Sequence, residues 1–373
     1  MLCRNAPELA YEDLQAQAHA HVGIGRDPVG GVLTSLAAAS KRLPLEADYP
    51  IDRDAVSRRY RIEPVAAGLL LAAVDRAHAV QPPTEGARPM GSQLGPEDEV
   101  WVCATCGNHY PAASPPAVCA ICADERQWVP PSGQRWTTLA QLRAAGHQGE
   151  VREVEPDLVG IGTDPPFAIG QRALLVRTPA GNLLWDPPGF LDERCVRAVR
   201  DAGGLRAVSA SHPHFYGAIV EWSHAFDAEI LLPHADAAWL GRPDPAVRTW
   251  SGSLPVGPGI TLVQCGGHFA GSAVVHWAQG AAGAGALLSG DTIFVTPGED
   301  RVTFVRSAPN RLPLPERAVR GVVEAVRPYR FDRIYGGWWE PVLRRDAKRV
   351  LERSAERPAV DHAGPAARGR APG

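Results

Sequence analysis

Ala207-Val-Ser-Ala-Ser-His212-Pro-His214-Phe-Tyr216-Gly217 sets two histidines two residues apart, directly behind a short apolar run. On an extended segment their side chains share a face, so both imidazoles reach one ion. The next histidine of interest comes 54 residues after His214, in Cys265-Gly-Gly-His268-Phe-Ala-Gly271-Ser272, where a Gly-Gly turn lets the backbone bend a ligand inward. A third stretch, Leu287-Leu-Ser-Gly-Asp291-Thr292, ends an apolar strand on a carboxylate. Three imidazoles with an open fourth position make a catalytic zinc site, not a structural one. Water on such an ion has a pKa near ~7 and is a nucleophile at neutral pH.

Outward from these motifs the chain alternates short apolar runs with turn signals. Strands are expected at 173–177, 182–185, 206–210, 229–232, 260–265, 273–277, 286–288 and 333–335, with helices at 191–202, 234–240, 315–326 and 344–356. Two more strand ends carry polar or aromatic residues: Asn182-Leu-Leu-Trp-Asp186 and Ile334-Tyr-Gly-Gly-Trp338-Trp339. Strands interleaved with helices read as a layered α/β (α+β) domain over residues 131–357.

In this order H-x-H, then G-H-x-x-G-S, then G-D, the chain resembles the metallo-β-lactamase fold superfamily of hydrolases, over about residues 150–345. The resemblance implies an αββα sandwich with a metal site on one edge. It implies His212, His214 and His268 as ligands of the first metal and Asp291 as the bridging carboxylate. Where the family continues H-x-H-x-D-H, this chain has Tyr216 and Gly217, and Gly336, Gly337 and Trp338 stand where a late histidine belongs. A single-metal centre is therefore expected. Asp291 or Tyr216 would orient the water; the phenol could instead donate to an oxyanion, or simply pack as an aromatic beneath the site. Trp222, Trp338 and Trp339 are candidate walls of an apolar substrate pocket. His224 is a candidate replacement ligand or a helix-surface or pocket residue. His234 and His276 read as packing, His19 and His21 as surface, and His147 and His362 as loop and tail residues.

Upstream, Cys103-Ala-Thr-Cys106 and Cys119-Ala-Ile-Cys122 are two C-x-x-C knuckles, the spacing of a tetrahedral S4 site. Trp101-Val-Cys-Ala-Thr-Cys-Gly-Asn-His-Tyr110 resembles the first knuckle of a rubredoxin or zinc ribbon, here placed at 97–130. Structural zinc is expected, and the missing glycine after Cys122 speaks against iron. So small a module draws much of its folding energy from the ion. With four thiolates closing the site, His109 reads as a surface or packing residue. Cys3, Cys195 and Cys265 have no patterned partners.

Residues 1–89 lie outside both resemblances and read as Ala-rich, with helices expected at 7–20 and 55–80. Met90, one of two methionines, marks a possible native start, and 358–373 read as a disordered Ala/Pro/Gly/Arg tail.

The 373 residues carry a formal charge of −3, which argues against a dedicated nucleic-acid surface. No apolar run approaches the ~20 residues of a membrane span, and the amino terminus has no signal pattern. A cytoplasmic protein acting on a small molecule is expected, without nucleic acid or membrane as partner. The expected activity is metal-dependent hydrolysis of an ester, thioester, lactone or amide. Two alternatives stand beside it. His212, His268 and Asp291 would suit mononuclear iron in a dioxygenase of persulfide-type substrates. A chain short of second-site ligands could also be a binding protein that has lost catalysis.

Overall fold

A computed structural model of the chain describes residues 8–10, 51–54, 59–62, 100–111 and 114–356. The chain divides into two compact units, Met1–Pro89 and Met90–Gly373. In the first, β1 (Glu8–Ala10), β2 (Ile51–Asp54) and β3 (Arg59–Ile62) form an antiparallel sheet in the order β1-β3-β2. β1 falls inside the helix expected at 7–20 and β3 inside that expected at 55–80. Both expectations are corrected there: in β3 Arg-Tyr-Arg-Ile alternates with period two, and β-branched and aromatic residues favour the pleated strand. The remainder of those expected helices, His19, His21, Cys3, His362 and the 358–373 tail lie outside the described residues.

The second unit opens on the ribbon. β4 (Trp101–Cys103) lies between β5 (His109–Tyr110) and β6 (Trp136–Thr137), and α1 (Ala120–Ala123) carries the second knuckle. The ribbon sheet therefore takes its third strand from beyond residue 130. After α2 (Leu139–Ala144) comes a seven-stranded sheet in the order β13-β12-β11-β10-β9-β8-β7. Its strands are β7 (Gln148–Glu155), β8 (Leu158–Asp164), β9 (Ala173–Val176), β10 (Leu183–Trp185), β11 (Ala207–Ser209), β12 (Glu229–Pro233) and β13 (Val247–Trp250). The second large sheet comprises β14 (Ser253–Gly257), β15 (Ile260–Gln264), β16 (Ala273–Trp277) and β17 (Ala286–Leu288), then β22 (Arg333–Tyr335) and β23 (Val342–Leu343). Between β17 and β22 lie two hairpins, β18 (Phe294–Val295) with β19 (Val302–Thr303), and β20 (Val305–Ser307) with β21 (Leu312–Pro313).

Alternation along the strands builds the layers. Leu174, Val176, Leu183, Trp185 and Leu231 of the first sheet meet Ile260, Leu262, Val275, Trp277, Leu288 and Tyr335 of the second in one buried core between the sheets. The intervening residues face outward and are just as apolar, because helices cover them. Leu175, Leu184, Val208 and Ile230 pack against α3 (Glu193–Asp201) and α4 (Ile219–Phe226). Val263, Val274, Leu287 and Ile334 pack against α5 (Glu316–Val326) and α6 (Ala347–Ala355). The order helix, sheet, sheet, helix is the αββα sandwich. Asp192 caps α3 by accepting from Cys195 N at 2.9 Å, while its second oxygen takes Gly149 N at 2.8 Å, tying the helix to β7.

The runs expected as strands all lie on strands of the two sheets, with ends moved by a residue or two. Residues 234–240 form a 3-10 helix, His234–Trp239, instead of an α-helix. The β7–β8 hairpin and α4 were not expected. No helix among the described residues is long and apolar enough to cross a membrane.

Candidate metal centre

The parallel pairs β10–β11 and β17–β22 bring the ends of four strands to one edge of the sandwich. Asp186 follows β10, His212 follows β11, Asp291 follows β17, and His268 sits in the turn from β15 to β16. Ala273 N donates to Ser211 O at 2.9 Å, stitching the two sheets together at this edge. His212, His214, His268 and Asp291 are all buried, and one ligand atom from each lies within 4.8 Å of every other.

The hydrogen bonds select the atoms. His268 Nδ1 faces Val305 O at 3.0 Å; a carbonyl only accepts, so the proton is on Nδ1 and Nε2 is bare. His212 Nδ1 contacts Ser211 Oγ at 2.8 Å, leaving Nε2 to face Asp291 Oδ2 at 3.7 Å. His268 Nε2 stands 3.3 Å from His214 Nδ1. That spacing matches the ~3.3 Å edge of a tetrahedron with ~2.0 Å bonds. His212 Nε2, His214 Nε2 and Asp291 Oδ1 are buried without a hydrogen-bond partner. Burial and the neighbouring imidazoles hold His212 well below the usual histidine range, and burial takes His268 down to about 4. Burial, with the Asp186 carboxylate nearby, pushes Asp291 up to about 7. His214 turns Nδ1 to the cluster, so its unpartnered Nε2 points elsewhere; with His212 Nε2, His268 Nε2 and the Asp291 carboxylate this is the donor set of a cation site, and these residues fit one.

Asp186, at φ 60°, takes Ser211 N at 2.6 Å and so holds the residue before His212. Asp tolerates this left-handed conformation better than most residues. Burial raises Asp186 to about 7. Arg172, 2% exposed, donates Nη1 to Gly336 O at 3.2 Å. No motif had pointed to it, since its only sequence signal is a charge just before an apolar strand. Around the imidazoles stand Phe215, its centroid 4.4 Å from that of His212, and Phe269, 5.0 Å from His214.

Tyr216 is completely buried and donates its hydroxyl to Asp236 O at 3.0 Å, so it is a packed aromatic and not a donor to water or oxyanion. Trp222, on α4, is likewise fully buried in the core, stacked on Phe226, and walls no pocket. Trp339 lies over Gly160 and Gly162 of β8 and under Arg152, away from the imidazoles. Trp338 is half-buried, contacts Phe215 and Phe294, and is one ring removed from His212. His224 pairs with Asp244 at 2.7 Å and His276 faces Arg330 O at 2.9 Å, so neither is a ligand.

In the ribbon, Cys103, Cys106, Cys119 and Cys122 converge, with Sγ separations of 3.6 Å (Cys103–Cys122) and 3.5 Å (Cys106–Cys119). Tetrahedral ~2.3 Å bonds give edges of ~3.8 Å. Hydrogen bonding from Cys106 pulls Cys103 well down while burial pushes Cys106 well up: sulfurs this close cannot all ionise without a cation between them. His109 is buried, with Nδ1 2.8 Å from Glu221 and Nε2 2.9 Å from Gly189 O. It packs between ribbon and sandwich. Burial alone would raise Glu221, but His109 and Arg242 outweigh it and hold the carboxylate at about 2.

A curated relative, the uncharacterized protein YmaE of Bacillus subtilis (strain 168), is 41% identical over 260 residues, covering 69% of this chain and 94% of YmaE. The chain belongs to the family of YmaE. No protein-family model matches it. Solved structures to which it is similar include a metallo-β-lactamase from Cronobacter sakazakii carrying a mutated HARLDQ motif (18% identity, 50% of this chain and 79% of that one, TM-score 0.34). VMB-1 shares 12% identity over 56% of this chain and 95% of its own (TM-score 0.44). TTHA1623 in a di-iron-bound form shares 20% over 46% and 89% (TM-score 0.36). This member of the YmaE family is an αββα sandwich that carries its candidate ligands in the order His212, His214, His268, Asp291.

Proposed function

We propose that this protein is a metal-dependent hydrolase, using one cation at His212, His214, His268 and Asp291 on a small ester, thioester, lactone or amide. The observation that carries the reading is the set of buried, partnerless ligand atoms, His212 Nε2 and Asp291 Oδ1, within one cluster. Each such atom costs about 1–3 kcal/mol left unmet. A divalent cation bound there would acidify a water and polarise the scissile carbonyl. The Val305 carbonyl fixes the tautomer of His268, and Ser211 Oγ holds the His212 ring by its Nδ1. Asp291 presents Oδ2 toward His212 and would meet the cation with Oδ1, its partnerless oxygen. Phe215 and Phe269 keep bulk water from the imidazoles.

One cation is favoured by what fills the second position. A side chain on Gly217 would collide with the Pro187 carbonyl, and one on Gly337 would come within 2.7 Å of the Phe215 ring. The ribbon's four cysteines hold a second, structural cation, zinc by their chemistry.

Metal analysis of the full chain beside His268→Ala, with a panel of aryl esters, thioesters and lactones, tests this. Two cations per chain are expected in the wild type and one in the variant, with hydrolysis lost. A wild type loaded only at cysteine, or one holding iron at the histidines and consuming oxygen without hydrolysis, would replace the hydrolase reading.

A further inference from the structure

One side chain reaches from a ribbon cysteine to the backbone of a cluster histidine. Asn108, buried, stands with Nδ2 3.5 Å from Cys106 Sγ and 3.2 Å from His214 O. Both neighbours are acceptors, so the amide nitrogen must face them, and its two hydrogens serve one each. His214 lies in the 3-10 turn Pro213–Phe215. In that turn Phe215 N donates to His212 O and Tyr216 N to Pro213 O, and the His214 carbonyl turns instead to a residue 106 positions away.

The backbones around this link are in contact. Gly107, at φ 78°, faces Gly189, where a Cβ would stand 2.6 Å from the Gly107 Cα. Ala218 N donates to Pro188 O at 3.1 Å, so the Pro187–Pro188–Gly189 loop lies between the knuckle and the turn that carries His214. From the second knuckle, Arg126 sets its guanidinium carbon 3.9 Å from the Phe269 ring centre, and Phe269 packs on all three imidazoles.

We propose that the ribbon is the outer scaffold of the histidine site, with Asn108 a positioning residue that fixes His214 by strapping its carbonyl to a ligand of the ribbon's ion. This rests on the metal reading above. A thiolate held by a cation is a charged acceptor and anchors the amide more firmly than a thiol does. Partners that orient a ligand in this way are worth about 10–100-fold in metal affinity.

The test is a cobalt(II) titration of the full chain against a competing chelator. Thiolate-to-cobalt charge transfer in the near ultraviolet reports the ribbon, and ligand-field bands in the visible report the histidine site. Asn108→Ala should keep the charge-transfer bands, shift the ligand-field bands, and weaken the histidine site about 10–100-fold. Asn108→Gln, which restores the donor, should recover much of that loss. Asn108→Leu fills the volume without a donor and should show the same shift and loss, which keeps the test open should the alanine variant fail to fold. Asn310→Ala removes other ribbon docking bonds, to Glu125 O and Gln127 O, and should leave the site unchanged. Unaltered affinity and bands in both Asn108→Ala and Asn108→Leu would overturn the strap, as would an equal loss in Asn310→Ala. A wild type that binds cobalt only through thiolates would overturn the metal reading itself.

Discussion

Gly189→Ala puts the packing of the ribbon to the test. An alanine Cβ there would stand 2.5 Å from Gly107 O, 2.6 Å from its Cα and 2.9 Å from its carbonyl carbon. All three are backbone atoms, so no flexible side chain can swing away, and the knuckle must move from the loop by roughly 1 Å to reach ordinary contact. Overpacking of this kind costs about 1–3 kcal/mol. At roughly 2–4 °C per kcal/mol for a domain of this size, Tm should fall by roughly 2–12 °C. The loss should be larger if the His109 to Gly189 O bond of 2.9 Å breaks with it. The assay is thermal unfolding of the metal-loaded full chain by near-ultraviolet circular dichroism. Gly321→Ala is the matched control: nothing lies within 4 Å of a Cβ there, and the site is inside α5. It should raise stability by about 0.5–1 kcal/mol through helix propensity. A Gly189→Ala protein as stable as wild type, beside a stabilised Gly321→Ala, would refute the close apposition of the two backbones.

Tyr216→Phe deletes the bond to the Asp236 carbonyl and should cost about 1–3 kcal/mol of stability with kcat unchanged; a collapse of kcat would restore a catalytic role for the phenol. Asp186 has its pKa raised by burial to about 7 from an unfolded value near ~3.9, so in the metal-free protein it costs stability as pH rises between those values. Denaturant unfolding should therefore show Asp186→Asn gaining on wild type between pH 5 and pH 8, by on the order of 1–4 kcal/mol, and a constant difference would contradict that environment. Gly160→Ala, whose Cβ would strike the Trp339 ring, should destabilise the protein, and the same change in a Trp339→Ala background should be far milder; equal costs in both backgrounds would remove Trp339 from β8.

The parts legible from sequence were those set by short-range rules. The buried strands announced themselves as apolar runs because both faces are covered, and each metal motif brackets its ligands within a few residues. The β7–β8 hairpin escaped because Gln148–Glu155 is polar and half-exposed, the residues of an edge strand with little to bury. The helices expected at the amino terminus rested on alanine content, and β3 shows period-two alternation prevailing over it. Trp222, Trp338 and Trp339 are indistinguishable in sequence, yet one fills the core, one abuts the Phe215 ring beside His212 and one covers two glycines.

Spacing along the chain is enough to pick out the candidate ligands: four cysteines in two knuckles, three histidines and one aspartate. How they are held is a property of the folded molecule. Asn108 lies 106 residues from His214, His109 is 80 from Gly189, and Asp186 is 25 from Ser211. Such bonds depend on which strand ends and loops the sandwich brings to one edge, and on glycines small enough to let two backbones touch. No periodicity within a segment encodes that meeting, because its energy comes from desolvated partners supplied by distant parts of the chain.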